Sequence, residues 1–198
     1  MKQIDYYYTP SSPWTYFGAE RLRLLAAKYG AEINHRPIQF GDILASSGGL
    51  PLAKRAPQRQ AYRLFELKRF SERTRLKIDL HPPHFGKPVD LAARVLIAAQ
   101  RAGFDPGLLS EAFMRGLWAE QRDISDAATL VELADANGLP GGELLAAASL
   151  PLVQAIFAAY TDEAKTRGVF GAPTYFYRDE PFWGQDRLDF LEEALMKG

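Results

Sequence analysis

Segments with the composition of β-strands lie only near the two ends of this chain, and this arrangement limits the folds open to it. They are residues 3–10 (QIDYYYTP), 31–40 (AEINHRPIQF), 174–177 (TYFY) and 180–183 (EPFW). From about Gly41 to Arg167, apolar residues recur mainly at helical spacing. We therefore expect an α/β domain built from both ends of the chain, with a large helical insertion between them.

The first helix has clear start and stop signals. Ser12 is a residue type that caps helices, and Pro13 is tolerated at the first helical position, where an N–H would lack a partner. Gly30 is a common residue type just after a helix. Because predicted strands flank this helix, we expect them to pair in parallel through a right-handed crossover.

The middle of the chain is predicted to be helical throughout. Helices are expected within residues 57–75, 88–103, 106–123 and 126–138. Residues 143–168 are expected to form two helices that meet near Pro151, because proline tends to break a helix. The Gly- and Pro-rich segments 41–57 and 78–88 are predicted to be loops that could line a site, and a last helix follows the C-terminal strands.

Composition excludes several classes of function. The chain has no cysteine, which excludes disulfides, thiolate metal sites and thiol chemistry by the protein itself. Lys plus Arg and Asp plus Glu each number 24, a balance that argues weakly against a general nucleic-acid-binding protein. The N-terminus lacks a secretory pattern and no apolar run is long enough to span a membrane. We expect a cytoplasmic protein without nucleic-acid, membrane or metal partners.

Ser12 allows two interpretations. The simpler one is a helix cap. The functional one uses the same geometry, because the start of a helix carries about half a positive charge and outward N–H groups that favour a bound anion. Ser12 lacks an obvious activating base, so it is not expected to be a nucleophile. An external thiolate is the anion that fits.

Two further motifs near the C-terminus allow a structural and a functional interpretation. Pro173 has two interpretations. It either only marks the start of a strand, where proline is tolerated, or it is the second residue of a cis peptide bond that leaves the Ala172 backbone free to pair with an extended ligand. Asp186 either caps the last helix or, with Gln185, binds the charged groups of a small zwitterion.

The basic stretch within residues 54–69 is most simply a solvated helix face, although one or two of its arginines could hold a carboxylate. His81 and His84 flank two prolines and are too few for a metal site. The aromatic residues Tyr6, Tyr7, Tyr8, Phe113 and Trp118 are predicted to be core.

Three stretches together resemble one known family. They are residues 5–22 (DYYYTPSSPWTYFGAERL), 169–177 (VFGAPTYFY) and 181–195 (PFWGQDRLDFLEEAL). In this order they resemble the 2-hydroxychromene-2-carboxylate isomerases, which belong with the kappa-class glutathione transferases to the DsbA-like branch of the thioredoxin fold. The resemblance implies a thioredoxin-like domain formed by residues 1–50 and 168–198, a helical insertion of residues 51–167, and a homodimer.

The resemblance also implies a site for glutathione. Ser12 matches the serine that hydrogen-bonds the glutathione sulfur and keeps it ionised, which makes it the expected catalytic residue. Pro13 belongs to the same turn, which replaces the Cys-x-x-Cys of redox relatives. Pro173 matches the cis-proline, Ala172 the residue whose backbone pairs with the cysteinyl unit, and Gln185 and Asp186 the segment that holds the γ-glutamyl end.

The expected activity is a glutathione-dependent isomerisation of an aryl-pyruvate or its cyclic hemiketal, as in aromatic catabolism. For the second substrate we expect His84, Phe85 and Arg59. This chain departs from the family there, since His84-Phe85-Gly86 stands where naphthalene-degrading isomerases have an Asn-Tyr-Asn-like stretch. Two alternatives remain open: a kappa-class transferase or peroxidase, and a non-catalytic thioredoxin-like binding module.

Overall fold

The computed structural model describes all residues of the chain, Met1–Gly198. The elements in chain order are β1 (Lys2–Tyr8), α1 (Pro13–Tyr29), β2 (Ala31–Pro37), α2 (Phe40–Ser47), α3 (Pro57–Thr74), α4 (Asp90–Arg101), α5 (Pro106–Ala119), α6 (Ala127–Ala136), α7 (Gly141–Ala148), α8 (Pro151–Thr166), β3 (Thr174–Tyr177), β4 (Glu180–Trp183) and α9 (Leu188–Lys197). Single 3₁₀ turns occupy Leu52–Lys54 and Gln185–Arg187. The predicted α/β, thioredoxin-like fold with a long helical segment between the strands is confirmed.

Both ends of the chain contribute to one four-stranded sheet in the order β2-β1-β3-β4. The β1–α1–β2 unit gives a parallel pair, with Ile4 opposite Ile33. Strand β3 runs antiparallel to β1 and to β4. The hairpin turn lies at Arg178-Asp179 as predicted, with Arg178 in the left-handed region at φ 58°.

Side chains of β1 alternate between two apolar cores, as the two-residue period of a strand requires. Tyr6 and Tyr8 are buried in the larger core together with residues of α1, α4 and α5, among them Trp118. Tyr7 faces the opposite side, against Phe176 and Ile43. The expectation that these tyrosines form core is confirmed.

The predicted helices of the middle segment are present, and α7 and α8 meet at Pro151. The prediction that residues 41–57 form a loop was wrong over its first half, which is helix α2. Ile43 is fully buried in the core formed with α8 and β3, and this contact stabilises a short helix that its serine- and glycine-rich sequence does not favour. Gly48 ends it at φ 73°.

The boundaries proposed for the helical insertion, residues 51 and 167, stay a prediction. The larger core is continuous across them, since it contains Leu67 and Phe113 as well as Tyr6 and Tyr8. No single helix has the length and the apolar character needed to cross a bilayer, although α7 and α8, bent by 71°, meet these two criteria when they are taken as one unit.

Candidate functional site

The N-terminus of α1 is capped by Ser12. Its backbone is extended (φ −79°, ψ 125°), and its Oγ accepts a hydrogen bond from the Thr15 N–H at 3.2 Å. Pro13 follows at the first helical position, as predicted. The Ser12 side chain is 8% exposed, so the hydroxyl lies just below the surface. The capping interpretation is therefore confirmed, and it leaves the hydroxyl proton free for a second partner.

That second partner is the carbonyl oxygen of Ala172, which accepts from Ser12 Oγ at 3.3 Å. The sheet brings the two residues together: β1 and β3 are antiparallel with Tyr7 opposite Thr174, so the residues after β1 meet the residues before β3. The Ala172–Pro173 peptide bond is cis. The Ala172 N–H donates to no backbone carbonyl.

Ser12, Trp14 and Ala172 form a corner at the start of α1, and the electrostatics of this corner favour an anion. The first turn of α1 contains no acidic residue that would offset the helix dipole. The Trp14 N–H donates to no backbone carbonyl, and the 3.3 Å bond from Ser12 to Ala172 is long for an O–H···O bond, so the hydroxyl can turn to another acceptor at small cost. These groups would stabilise a thiolate relative to a thiol and so lower the pKa of a bound thiol.

The residues after β4 lie at the same end of the sheet, beside Pro173. The Gly184 N–H donates to the Pro173 carbonyl at 2.9 Å. Gln185 is buried, and its side-chain carbonyl accepts from Arg21 of α1 at 3.0 Å. Arg21 also bonds the Gln185 backbone carbonyl at 3.1 Å. Gln185 therefore joins this segment to α1, and its side-chain oxygen is already paired, a contact that the sequence did not predict.

Asp186 does not cap the last helix. Helix α9 starts at Leu188 without a side-chain cap. The Asp186 carboxylate is about half exposed and bonds Arg187 at 2.9 Å. The capping interpretation was wrong because the 3₁₀ turn Gln185–Arg187 inserts between the strand and the helix. The Asp186 carboxylate is thus partly exposed and paired with Arg187, and its role in binding a ligand stays a prediction.

Phe170 and Trp183 form an exposed aromatic pair beside the Ala172–Pro173 bond. Their ring centres are 4.8 Å apart in an edge-to-face arrangement, and both side chains are about half exposed. The Trp183 indole lies so close to Gly171 that a Cβ there would sit 2.1 Å from its Nε1. Glycine at position 171 is thus required by packing.

Of the residues expected to bind the second substrate, Phe85 lies in a cluster with Arg63 and Trp118. The Phe85 ring is 5.0 Å from the Trp118 ring, and the Arg63 guanidinium is 5.3 Å and 5.8 Å from the two ring centres. Arg59, the arginine that we selected from the sequence, is exposed and outside this cluster. The assignment of Arg59 to the second substrate stays a prediction, and Arg63, on the same basic helix, is the arginine whose guanidinium lies near Phe85.

His84 lies beside Phe85 in the chain but contacts a different group. Its Nδ1 is 3.4 Å from an oxygen of Asp123, which also bonds Lys87 at 2.6 Å. Hydrogen bonds from Lys87 and Ser125 lower the pKa of the Asp123 carboxyl to about 2. The role of His84 stays a prediction.

Helix α3 contacts both the residues around Ser12 and the residues around Phe85. Phe70 of α3 contacts Trp14 of α1, with ring centres 5.8 Å apart. Arg63 precedes Phe70 by seven residues, which places it on the same face of α3, about 10 Å along the axis. No hydrogen bond or ring contact joins Ser12 directly to Phe85 or His84.

A cavity of about 530 Å³ lies elsewhere, between α1, β2 and the start of α5. Its wall includes Tyr6 and His35, and the Tyr6 hydroxyl and the His35 Nδ1 are buried without a hydrogen-bond partner. Burial lowers the pKa of His35 to about 4. Ser12 and Ala172 are not part of this wall, so the cavity is distinct from the anion-favouring corner.

The comparison with family models decides the family. The model of the DSBA-like thioredoxin domain matches residues 3–196. The chain belongs to the DSBA-like thioredoxin domain family. Membership accounts for the turn at Ser12, because the fold places the start of α1 beside the residues that precede β3.

Relatives of this DSBA-like protein have two kinds of name. This chain is 28% identical over 196 residues to the 2-hydroxychromene-2-carboxylate isomerase of Sphingobium xenophagum, and the match covers 98% of each chain. It is also 28% identical over 215 residues to glutathione S-transferase kappa 2 of Caenorhabditis elegans, covering 98% of this chain and 93% of the relative. A solved structure of a 2-hydroxychromene-2-carboxylate isomerase superposes with a TM-score of 0.85 at 22% identity, covering 98% and 95% of the two chains. The predicted resemblance is therefore confirmed.

Proposed function

We propose that this DSBA-like protein is a glutathione-dependent isomerase of the 2-hydroxychromene-2-carboxylate type. The observation that carries the proposal is the hydroxyl of Ser12 at the start of α1, 3.3 Å from the carbonyl of Ala172. In a chain without cysteine, this corner favours a thiolate that the protein itself cannot supply. The relatives named as isomerases support the reaction class.

The residues present fit glutathione. The Trp14 N–H and the Ser12 hydroxyl are the donors for its sulfur, and the Ala172 N–H is free to pair with its cysteinyl unit. The Asp186 carboxylate is exposed at the edge where an ammonium group would bind. Because the Gln185 side-chain oxygen is paired with Arg21, we assign Gln185 the positioning of this segment.

In the proposed mechanism, the protein contributes position and charge. When bound, glutathione supplies a thiolate whose reversible addition to a conjugated carbon turns a double bond into a rotatable single bond, and the tripeptide is not consumed. Ser12 turns its hydroxyl from Ala172 to the sulfur and stabilises the negative charge there, together with the helix dipole. The α1 start holds the sulfur in place while the second substrate binds from the side of α3.

The test is a titration of bound glutathione by its ultraviolet thiolate absorbance, wild type beside Ser12→Ala. Removing the hydroxyl should raise the pKa of the bound thiol and lower the isomerisation rate about 10²–10³-fold. Loss of the cap should cost only about 1 kcal/mol of stability, so the fold is retained. Circular dichroism of the variant checks this.

The matched control is Ser11→Ala, which removes the neighbouring hydroxyl. Ser11 Oγ is 3.1 Å from the Thr9 hydroxyl and has no bond to Ala172. This variant should leave the thiol pKa and the rate unchanged. If Ser12→Ala also titrates like the wild type, Ser12 has no part in the mechanism and the proposal fails.

The kappa-class relative favours a second candidate, a glutathione transferase. Both activities would use the same thiolate, and product analysis separates them. An isomerase leaves the glutathione concentration unchanged after many turnovers, whereas a transferase or peroxidase depletes it or oxidises it. Tight binding of glutathione with no ionised thiol would instead favour a non-catalytic binding module.

We also keep as proposals the homodimer, the cytoplasmic location and the role in aromatic catabolism, which all come from the resemblance or from the composition. Sedimentation equilibrium would test the dimer directly.

A further inference from the structure

The Arg63 guanidinium lacks the partner that a half-buried charge normally has. It lies near the rings of Phe85 and Trp118, at 5.3 Å and 5.8 Å from their centres. Ring faces attract a cation, but they do not replace a carboxylate. Burial first, and then the positive charge of Arg55, lower the pKa of Arg63 to about 10, and no acidic group acts on it.

The positive charge of Arg55 also acts on Arg63. Arg55 precedes α3, and its Nε donates to the Leu50 carbonyl at 2.9 Å, which fixes the side chain without neutralising it. A half-buried guanidinium that feels a second positive charge and has no carboxylate partner is unfavourable unless an anion binds it. The planar guanidinium donors of arginine match a carboxylate in shape.

The surroundings of Arg63 are aromatic. The Phe85 ring is 37% exposed, so an incoming ring can lie against it. The Trp118 Nε1 is buried without a hydrogen-bond partner. The face of α3 that holds Arg63 also holds Phe70, which contacts Trp14 two residues after Ser12.

We propose that Arg63, aided by the positive charge of Arg55, binds the carboxylate of an aromatic acid whose ring packs on Phe85. This inference rests on the proposed function, since that acid is the second substrate. Arg63 then determines specificity, because it selects anionic aromatic substrates over the neutral electrophiles typical of a transferase. Glutathione also carries carboxylates, but it has no ring to contact Phe85.

The experiment measures binding of two probes of the same shape, trans-cinnamate and trans-cinnamamide, by isothermal titration calorimetry in the absence of glutathione. The wild type should bind the acid more tightly than the amide by about tenfold to a hundredfold, as expected for hydrogen bonds to a charged group. Arg63→Met should remove this preference and leave the affinity for the amide unchanged. Arg63→Lys should retain part of it.

Three further variants sharpen the result. Lys68→Met removes an exposed positive charge from the same helix and should keep the preference. Phe85→Ala should weaken both probes alike. Arg59→Met tests the rival residue: if this variant loses the preference while Arg63→Met retains it, the assignment to Arg63 is overturned.

Two more outcomes would also overturn the proposal. One is a wild type that binds the acid and the amide equally. The other is an Arg63→Met variant that loses affinity for glutathione but not for cinnamate, which would make the carboxylate that of the tripeptide. Ser12→Ala should keep the cinnamate preference, so failure of the glutathione mechanism and failure of the Arg63 assignment give different results.

Discussion

At the scale of single residues, Ser12 meets two requirements with one side chain. Its oxygen accepts from the Thr15 N–H and so caps α1, and its proton is donated to Ala172. The first interaction stabilises the helix, and the second is the one that a bound sulfur would replace. An alanine removes both together, so a variant that separates them is needed.

Ser12→Asp separates the two roles. Aspartate caps helices about as well as serine, so the cap is kept, and the free energy of unfolding should fall only by the loss of the bond to Ala172, about 1 kcal/mol. Its carboxylate cannot donate a proton to sulfur and repels a thiolate, so the pKa of bound glutathione should rise at least as far as in Ser12→Ala. Urea unfolding and the thiolate titration measure the two effects. A Ser12→Asp variant that loses several kcal/mol of stability, or one with an ionised thiol, would contradict this division of roles.

At the scale of elements, the position of α1 depends on its close approach to the segment after β4. Gly18 is the contact point: a Cβ there would lie 2.8 Å from the Gln185 Cβ and from the Tyr175 hydroxyl. This side of α1 also carries Arg21, which bonds Gln185. Helix α1, which has Ser12 at its N-terminus, is thus held against the segment after β4 that contains Asp186.

Gly18→Ala should therefore destabilise the protein, because the added methyl group overpacks this contact. Such overpacking typically costs about 1–3 kcal/mol. Gly142→Ala is the matched control within α7, where nothing lies within 4 Å of the new Cβ, and it should be neutral or stabilise by about 0.4–1 kcal/mol. Urea midpoints compare the two. Equal midpoints for both variants would show that the α1 contact can relax freely.

The elements themselves could largely be predicted from the sequence, because their ends carry local signals. Pro13 and Gly30 mark α1, and Pro151 separates α7 from α8. Helix α2 could not be predicted in the same way. Its stability comes from the burial of Ile43 against residues far along the chain, and no local pattern records such a contact.

The candidate site was predictable only in part, for the same reason. Ser12 and Ala172 are separated by 160 residues in the chain, and only the resemblance to a family suggested that they meet. Arg59 and Arg63 lie on one basic helix, and no local pattern shows that tertiary packing places Arg63 against Phe85. The pairing of Gln185 with Arg21 likewise depends on how α1 packs.

At the scale of the whole molecule, a charged network joins the first strands to the point where the chain returns from its helical segment. Asp5 of β1 accepts from Arg36 of β2 at 3.1 Å and from Arg167, just after α8, at 2.6 Å. Burial alone would raise the pKa of Asp5, but the bonds from Arg167, Asn34 and Arg36 lower it overall. The network therefore stabilises the fold above the normal pKa of an aspartate and weakens only in more acidic solution.

A second titrating group acts on global stability at higher pH. His35 of β2 is 6% exposed and packs edge-on against Tyr6 and Tyr8. Burial lowers its pKa from 6.5 to about 4. Between these values the unfolded chain binds a proton that the folded protein excludes, so stability rises with pH across this window.

The free energy of unfolding should therefore fall by about 3 kcal/mol as the pH drops from 6.5 to 4, since each unit of pKa difference corresponds to about 1.4 kcal/mol. Urea unfolding across this range measures the slope. His35→Phe keeps a ring edge-on against the stacked pair of Tyr6 and Tyr8 and should remove most of the slope, whereas a change of the exposed His81 to Asn should preserve it. The bonds to Asp5 lower its pKa below 3.8, so they act under this window. An unchanged slope in His35→Phe would assign the acid sensitivity to other groups and contradict this prediction.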